Sequence, residues 1–204
     1  MRFAAALLVL LLAPLSLGAC GDDDDDGGTV TKSFSKAEQV IDPSKQYTAT
    51  FQTSMGEFAV RLYADKAPKT VNSFVFLAKE GYFDGLTFHR VVKDFVVQAG
   101  DPTGSGSGGP GYETADEPNE ISNKRGTLAM AKTAGAKVFG SQFFINLKDN
   151  TALDFNNPTN NKFYPFGEVV SGMDVVDAIG KAPVGPGDRP NPAITITRVT
   201  IEEQ

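Results

Sequence analysis

Arg90, Phe95 and Gln98 lie within one stretch, Phe88-His89-Arg90-Val91-Val92-Lys93-Asp94-Phe95-Val96-Val97-Gln98-Ala99-Gly100-Asp101, that reads as strand, turn and strand. A guanidinium is always charged and presents several donors in a fixed fork, and an amide both donates and accepts. Such groups need partners or solvent, because burying them alone is costly. Arg90 is therefore either an exposed strand residue or part of a site shared with Gln98. Other chemistries are poorly supplied. Ser141 and His89 could be joined to an aspartate as a triad, but no nucleophile-elbow glycine pattern surrounds Ser141. The run Gly104-Ser105-Gly106-Ser107-Gly108-Gly109 lacks the Lys-Ser or Lys-Thr pair and the helical pattern that a phosphate-cradling loop requires. With one histidine, His89, and one cysteine, Cys20, the chain has no His cluster, no cysteine-based zinc site and no thiol inside the domain. Neither a metal nor a cofactor is expected.

The elements that must position these residues are many and short. Tyr47, Ala49 and Phe51 alternate with polar residues, as do Phe58, Val60 and Leu62, and Ser54-Met55-Gly56 between them predicts a hairpin. Pro68 suits the first turn of a helix that carries Val71, Phe74, Val75 and Ala78 on one face and stops at Gly81. Further strands are expected over residues 87–92, 95–99, 127–131, 142–146 and 166–170, with a long surface loop over 101–118. A second helix is expected from Ser171, with Asp174 completing a capping box, to Gly180. The last strand spans 194–202, and its apolar parity slips between Ile196 and Val199, which predicts a bulge. This pattern fits an antiparallel barrel or sandwich with two helices.

The 204 residues suit one domain, and 41% apolar and 22% charged residues are ordinary for a globular chain. The net charge of −6 owes five charges to Asp22 to Asp26, which gives no support to nucleic-acid binding. Met1-Arg2 is followed by an apolar run, Phe3 to Leu17, too short for a spanning helix and broken by Pro14 and Ser16. Leu17-Gly18-Ala19-Cys20 then resembles the lipobox of bacterial lipoproteins. The resemblance implies a signal peptide over 1–19, fatty acylation such as palmitate at Cys20, and a lipid bilayer as one partner. The location so implied is the cell envelope, facing outside the cytoplasm. Residues 20–46 read as an acidic, self-repelling tether with an end-to-end distance of about 25–30 Å. Residues 47–204 form the expected domain.

Three segments, Phe88 to Asp101, Thr127 to Ala131 with Phe139 to Ile145, and Pro165 to Val169, together resemble the cyclophilin family of peptidyl-prolyl isomerases. The likeness runs from about Tyr47 to Glu202. It implies a mainly β fold, a closed eight-stranded antiparallel β-barrel capped by two α-helices, and a monomer that acts on proline-containing polypeptides. By the same resemblance Arg90 is the catalytic arginine, and Gln98 orients the substrate. Phe95, Val96 and Phe144 form the proline pocket, Leu153 its floor, and Ala131 contacts the residue before proline. Phe163 stands where many members have histidine or tyrosine, and Ala152 where cyclosporin-sensitive members have tryptophan. A binding module that holds proline segments, as a chaperone or docking domain with incidental turnover, is the rival expectation.

Overall fold

The computed structural model describes residues 32–159 and 161–204. The expected signal peptide, Cys20 and the aspartate run lie outside the described residues.

The hairpin forms as the alternation demands. Strands β1 (Tyr47–Thr53) and β2 (Gly56–Leu62) pair across a Ser54-Met55 turn, with Phe51 directly opposite Phe58. Their rings stack at 4.7 Å, and Phe74 of helix α1 (Pro68–Lys79) lies 6.0 Å from Phe51. Phe74 also meets Phe83, Phe143 and Phe166, so one aromatic cluster joins the helix to the concave face of the sheet. Proline opens α1 as expected. Its first free N–H groups, on Lys69 and Thr70, donate to the Glu117 carboxylate at 3.0 and 2.6 Å. A carboxylate at this end also complements the helix dipole.

The remaining strands are β3 (Arg90–Val92), β4 (Val96–Ala99), β5 (Thr114–Ala115), β6 (Thr127–Met130), β7 (Val138–Phe139), β8 (Phe143–Asn146), β9 (Pro165–Ser171) and β10 (Ile196–Glu203). Eight of them form one antiparallel sheet in the order β10-β1-β2-β9-β6-β8-β4-β3, and β5 pairs with β7 in a separate two-stranded sheet. The expected bulge is present: Gln52 faces Arg198 and Thr53 faces Ile196, which leaves Thr197 as the extra residue.

Four expectations are corrected. The barrel is not closed. The edge strand β3 has three residues, and the chain before it meets the start of β10 through an isolated bridge, Thr87 to Thr195, and bonds such as Phe88 N–H to Ile194 O at 2.9 Å. No ladder joins β3 to β10, so the eight strands make an open half-barrel. The second helix, α2 (Met173–Gly180), has no capping box, because Ser171 ends β9 and Gly172, at φ 72°, turns the chain into the helix. A Cβ on Gly172 would lie 2.4 Å from Glu57 O, so the turn also needs glycine for space. The expected loop 101–118 contains β5, too short for any periodicity to reveal. Finally, residues 33–41 do not extend as a tether. Phe34, Ala37 and Val40 pack on the main core, and Ile41 is buried within it. These apolar residues are too sparse to show a helix or strand period, yet each covers apolar surface.

Candidate active site

Two faces of the sheet carry two apolar clusters. On β4, Val97 and Ala99 join the main core, while Val96 and Gln98 point the other way; on β8, Phe143 and Ile145 face in. The outer positions line up across four strands, with Arg90 opposite Gln98, Gln98 opposite Phe144, and Phe144 opposite Ala129. Period-two alternation therefore sets the guanidinium and the amide beside an apolar floor. That floor is a small separate cluster of Val96, Ala129, Phe144 and Leu153, with Phe95, Ala131 and Phe163 packed against it. A groove of about 950 Å³ runs over it, lined by all eight residues singled out for the site: Arg90, Phe95, Val96, Gln98, Ala131, Phe144, Leu153 and Phe163.

The polar members are oriented by one another. Arg90 Nη1 donates to Gln98 Oε1 at 3.4 Å, and Gln98 Nε2 donates to Gln142 Oε1 at 3.0 Å. Gln142 Nε2 in turn donates to Gly106 O and Gly108 O, each at 3.0 Å. The glycine-rich loop is held from below by Asp101, whose carboxylate accepts from the Thr103 N–H and hydroxyl and from the Gly106 N–H at 2.5–2.8 Å. Burial alone would raise the Asp101 carboxyl, but these bonds outweigh it and hold it below its ordinary value. On its outer side Arg90 Nε lies 3.6 Å from Asp188 Oδ2.

The apolar members are fixed by backbone groups. Phe95 follows Asp94, whose φ of 56° closes the β3–β4 turn. The Phe95 carbonyl accepts from Leu147 N–H at 2.9 Å and from Asn150 Nδ2 at 3.0 Å. Phe163 N–H donates to Leu153 O at 2.9 Å, so these two residues, ten apart in sequence, are held as one wall. Beneath them Asp154 accepts from Asn123 N–H and Ser122 hydroxyl, both at 2.6 Å. Burial opposes ionisation of Asp154 too, and again hydrogen bonds keep its carboxyl low. The Phe163 ring stands edge-on to Phe144 at 5.5 Å.

The sequence reading missed four contributors. Gln142 bridges Gln98 to the glycine-rich loop, and Ala129 sits opposite Phe144 on the neighbouring strand. Asp188 faces Arg90. Lys132 pairs with Asp116, its side chain 5% exposed, and its ammonium lies 5.7 Å from the Phe163 ring and 5.4 Å from that of Tyr164. For Gln142 the signal was present, since it adjoins Phe143 and Phe144 in a strand across from Gln98. For Asp188 and Lys132 there was none, because their partners are 98 and 16 residues away. Ser141 is no nucleophile: it is fully buried, with its hydroxyl bonded to Gly100 O at 2.6 Å and beside Tyr82 Oη at 2.9 Å.

The family model described as cyclophilin type peptidyl-prolyl cis-trans isomerase/CLD matches residues 48–201. A peptidyl-prolyl cis-trans isomerase of Arabidopsis thaliana is 40% identical over 157 residues, which cover 74% of this chain and 92% of that protein. A peptidyl-prolyl cis-trans isomerase-like protein of Aspergillus niger is 41% identical over 159 residues, 76% of this chain and 94% of that one. Among solved structures, a cyclophilin type isomerase of Cryptosporidium parvum, crystallised in the presence of the dipeptide Ala-Pro, superposes with a TM-score of 0.70. It is 28% identical over 77% of this chain and 99% of that chain.

Proposed function

The chain belongs to the cyclophilin family and is a peptidyl-prolyl cis-trans isomerase; from that premise we propose that Arg90 and Gln98 carry its catalysis, on Xaa-Pro bonds of exported or envelope proteins whose folding it assists. The observation that supports these roles is the row Arg90, Gln98, Phe144, set in register over the apolar cluster.

A peptide bond resists rotation because its C–N bond is partly double, with a barrier of about 18–20 kcal/mol. The rotation breaks no bond, so it requires no nucleophile. What accelerates it is preference for the twisted state, in which the proline nitrogen regains a lone pair. Arg90 lines the groove and donates to that nitrogen as it becomes pyramidal. Such a bond is strongest in the transition state, where binding energy lowers the barrier. Phe95, Val96, Phe144, Leu153 and Phe163 hold the ring, and Gln98, already turned by Gln142, holds a backbone carbonyl. One side of the bond is fixed while the other turns. A rate gain of four to five decades needs roughly 5.5–7 kcal/mol, within reach of a desolvated charged hydrogen bond plus orientation.

The envelope setting rests on the sequence before the described residues. The apolar run, the Leu17-Gly18-Ala19-Cys20 motif and the aspartates that follow support acylation of Cys20 and a domain held off a bilayer. A protease-coupled or NMR-exchange assay on a short Xaa-Pro peptide tests the catalytic roles. Turnover by the native chain and its loss in Arg90→Ala are expected, and a folded Arg90→Ala protein with normal turnover would remove Arg90 from the mechanism.

A further inference from the structure

The glycine-rich wall of the groove is short of side chains of its own, and Asp101 holds it from below. On the groove side Gln142 grips Gly106 and Gly108. On the outer side, among the described residues, the wall meets Tyr112, whose hydroxyl lies 2.8 Å from Ser73 Oγ of α1, and the segment 33–41, which packs on α1. Phe34 N–H donates to Pro110 O at 2.8 Å. Gly111, at φ 92°, lies so near this strap that a Cβ would fall 2.4 Å from Ser33 Oγ and 2.7 Å from Phe34 O. Both Pro110 and Gly111 line the groove.

The strap is itself fixed at both ends. The Phe34 ring stands edge-on to Phe76 of α1 at 5.0 Å. Further along, the N–H groups of Val40 and Ile41 donate to Asn72 Oδ1 at 2.8 and 3.3 Å, and Asn72 Nδ2 donates to Glu38 O at 2.9 Å. Asn72 is 8% exposed and belongs to the same helix. The strap thus links α1 to Pro110 through named contacts. The proline pocket does not share this support: its residues form their own cluster, whereas Phe34 and Val40 pack on the main core.

We propose that the strap 33–41, through Phe34, is a positioning element for the glycine-rich wall, and that it sets the affinity for polypeptide segments reaching beyond the proline ring. The proposal rests on the isomerase reading of the same groove. A groove of about 950 Å³ is far larger than one proline ring, and residues 106–111 line part of it beyond the apolar cluster. A wall of backbone carbonyls and N–H groups suits an extended peptide backbone. Loss of its outer support should weaken the hold on flanking residues and leave the ring site alone.

The experiment compares the full chain with its Phe34→Ala variant, using two probes: the dipeptide Ala-Pro and a six-residue peptide with Ala-Pro at its centre. Removing the edge-to-face contact should weaken binding of the longer peptide, and raise its KM, by about three- to tenfold. Its kcat should stay within about twofold, and the affinity for Ala-Pro should not move. If Phe34→Ala does not fold, Phe34→Leu keeps apolar cover over Phe76 and should show the same split at smaller size. Equal weakening for both probes, or no change for either, overturns the proposal. A native chain that turns over neither probe overturns the isomerase reading instead.

Discussion

The Arg90 side chain is 41% exposed and is held from two sides, by Gln98 Oε1 at 3.4 Å and by Asp188 Oδ2 at 3.6 Å. Half in solvent, it contributes little to folding, so its removal should affect rate and not stability. Arg90→Ala is expected to lower kcat/KM by two or more decades, about 3 kcal/mol of transition-state stabilisation, with unchanged thermal unfolding. Arg90→Lys should recover only part, because an ammonium cannot present the same fork. Asp188 is a different case. It has φ 60°, which asparagine also tolerates, so Asp188→Asn keeps the turn and removes only the charge. An ion pair this exposed is worth about 0–1 kcal/mol, so the loss in kcat/KM should be fivefold at most. The native rate should also depend on ionic strength more than that of Asp188→Asn. Parallel salt profiles for the two proteins would leave Asp188 without a part in orienting Arg90.

At the scale of elements, what the sequence disclosed depended on how local the determining pattern was. The β1–β2 hairpin and the start of α1 are written in contiguous residues, Ser54-Met55-Gly56 and Pro68, and both formed where expected. So did the bulge at Thr197, because a parity slip is visible in a single strand. Openness of the sheet was not legible, since it turns on whether two edge strands far apart in sequence share a ladder. The strap at 33–41 was hidden in polar residues, and its fit to Asn72 and Phe76 depends on a helix that begins some thirty residues later. All eight residues chosen for the site line one groove; period-two alternation in short strands sets Arg90, Gln98 and Phe144 on one face, while the roles of all eight came from family resemblance. The short 3-10 turn Thr151–Leu153 carries a prediction of its own. It buries Leu153 in the pocket and leaves Ala152 exposed, and by the family resemblance Ala152 stands where cyclosporin-sensitive members have tryptophan. Alanine lacks the indole donor, about 1 kcal/mol, and an apolar area worth about 2 kcal/mol, together roughly a hundredfold in affinity. Cyclosporin should therefore inhibit this enzyme poorly, and Ala152→Trp should restore part of the inhibition without changing turnover of short peptides. Tight inhibition of the native chain would show that another aromatic, such as Phe155 or Phe163, supplies the contact.

For the whole molecule, the strap lies in sequence between the proposed anchor at Cys20 and residues 47–204. Cys20→Ala should abolish partition into detergent with membrane lipid, and partition equal to that of the native protein would point to an uncleaved apolar segment. Acid should act on the domain through three buried groups, His89, Asp101 and Asp154, that adjoin or bond residues lining the groove. Burial, the largest influence, pushes the His89 imidazole below its ordinary value of 6.5; the Asp101 charge opposes this, and Arg189 and Arg90 reinforce it. Asp101 and Asp154 are held below their ordinary 3.8 by the hydrogen bonds described above, against the effect of burial. All three shifts are downward, so between each ordinary value and its lowered one the unfolded chain binds more protons than the folded one. The stability each contributes is complete above its ordinary value and is lost as the pH falls through the lowered one. Thermal stability should therefore be flat at neutral pH, begin to fall as the pH drops through 6.5, and fall again below 3.8. His89→Gln, which cannot take up the proton, should remove the first decline and keep the second, while Asp154→Asn should lessen only the second. Because Asp101 braces the glycine-rich wall and Asp154 the Leu153–Phe163 wall, KM should rise across the lower range before the domain unfolds. A native protein whose unfolding temperature stays level down to pH 4 would show that His89 does not couple protonation to the fold.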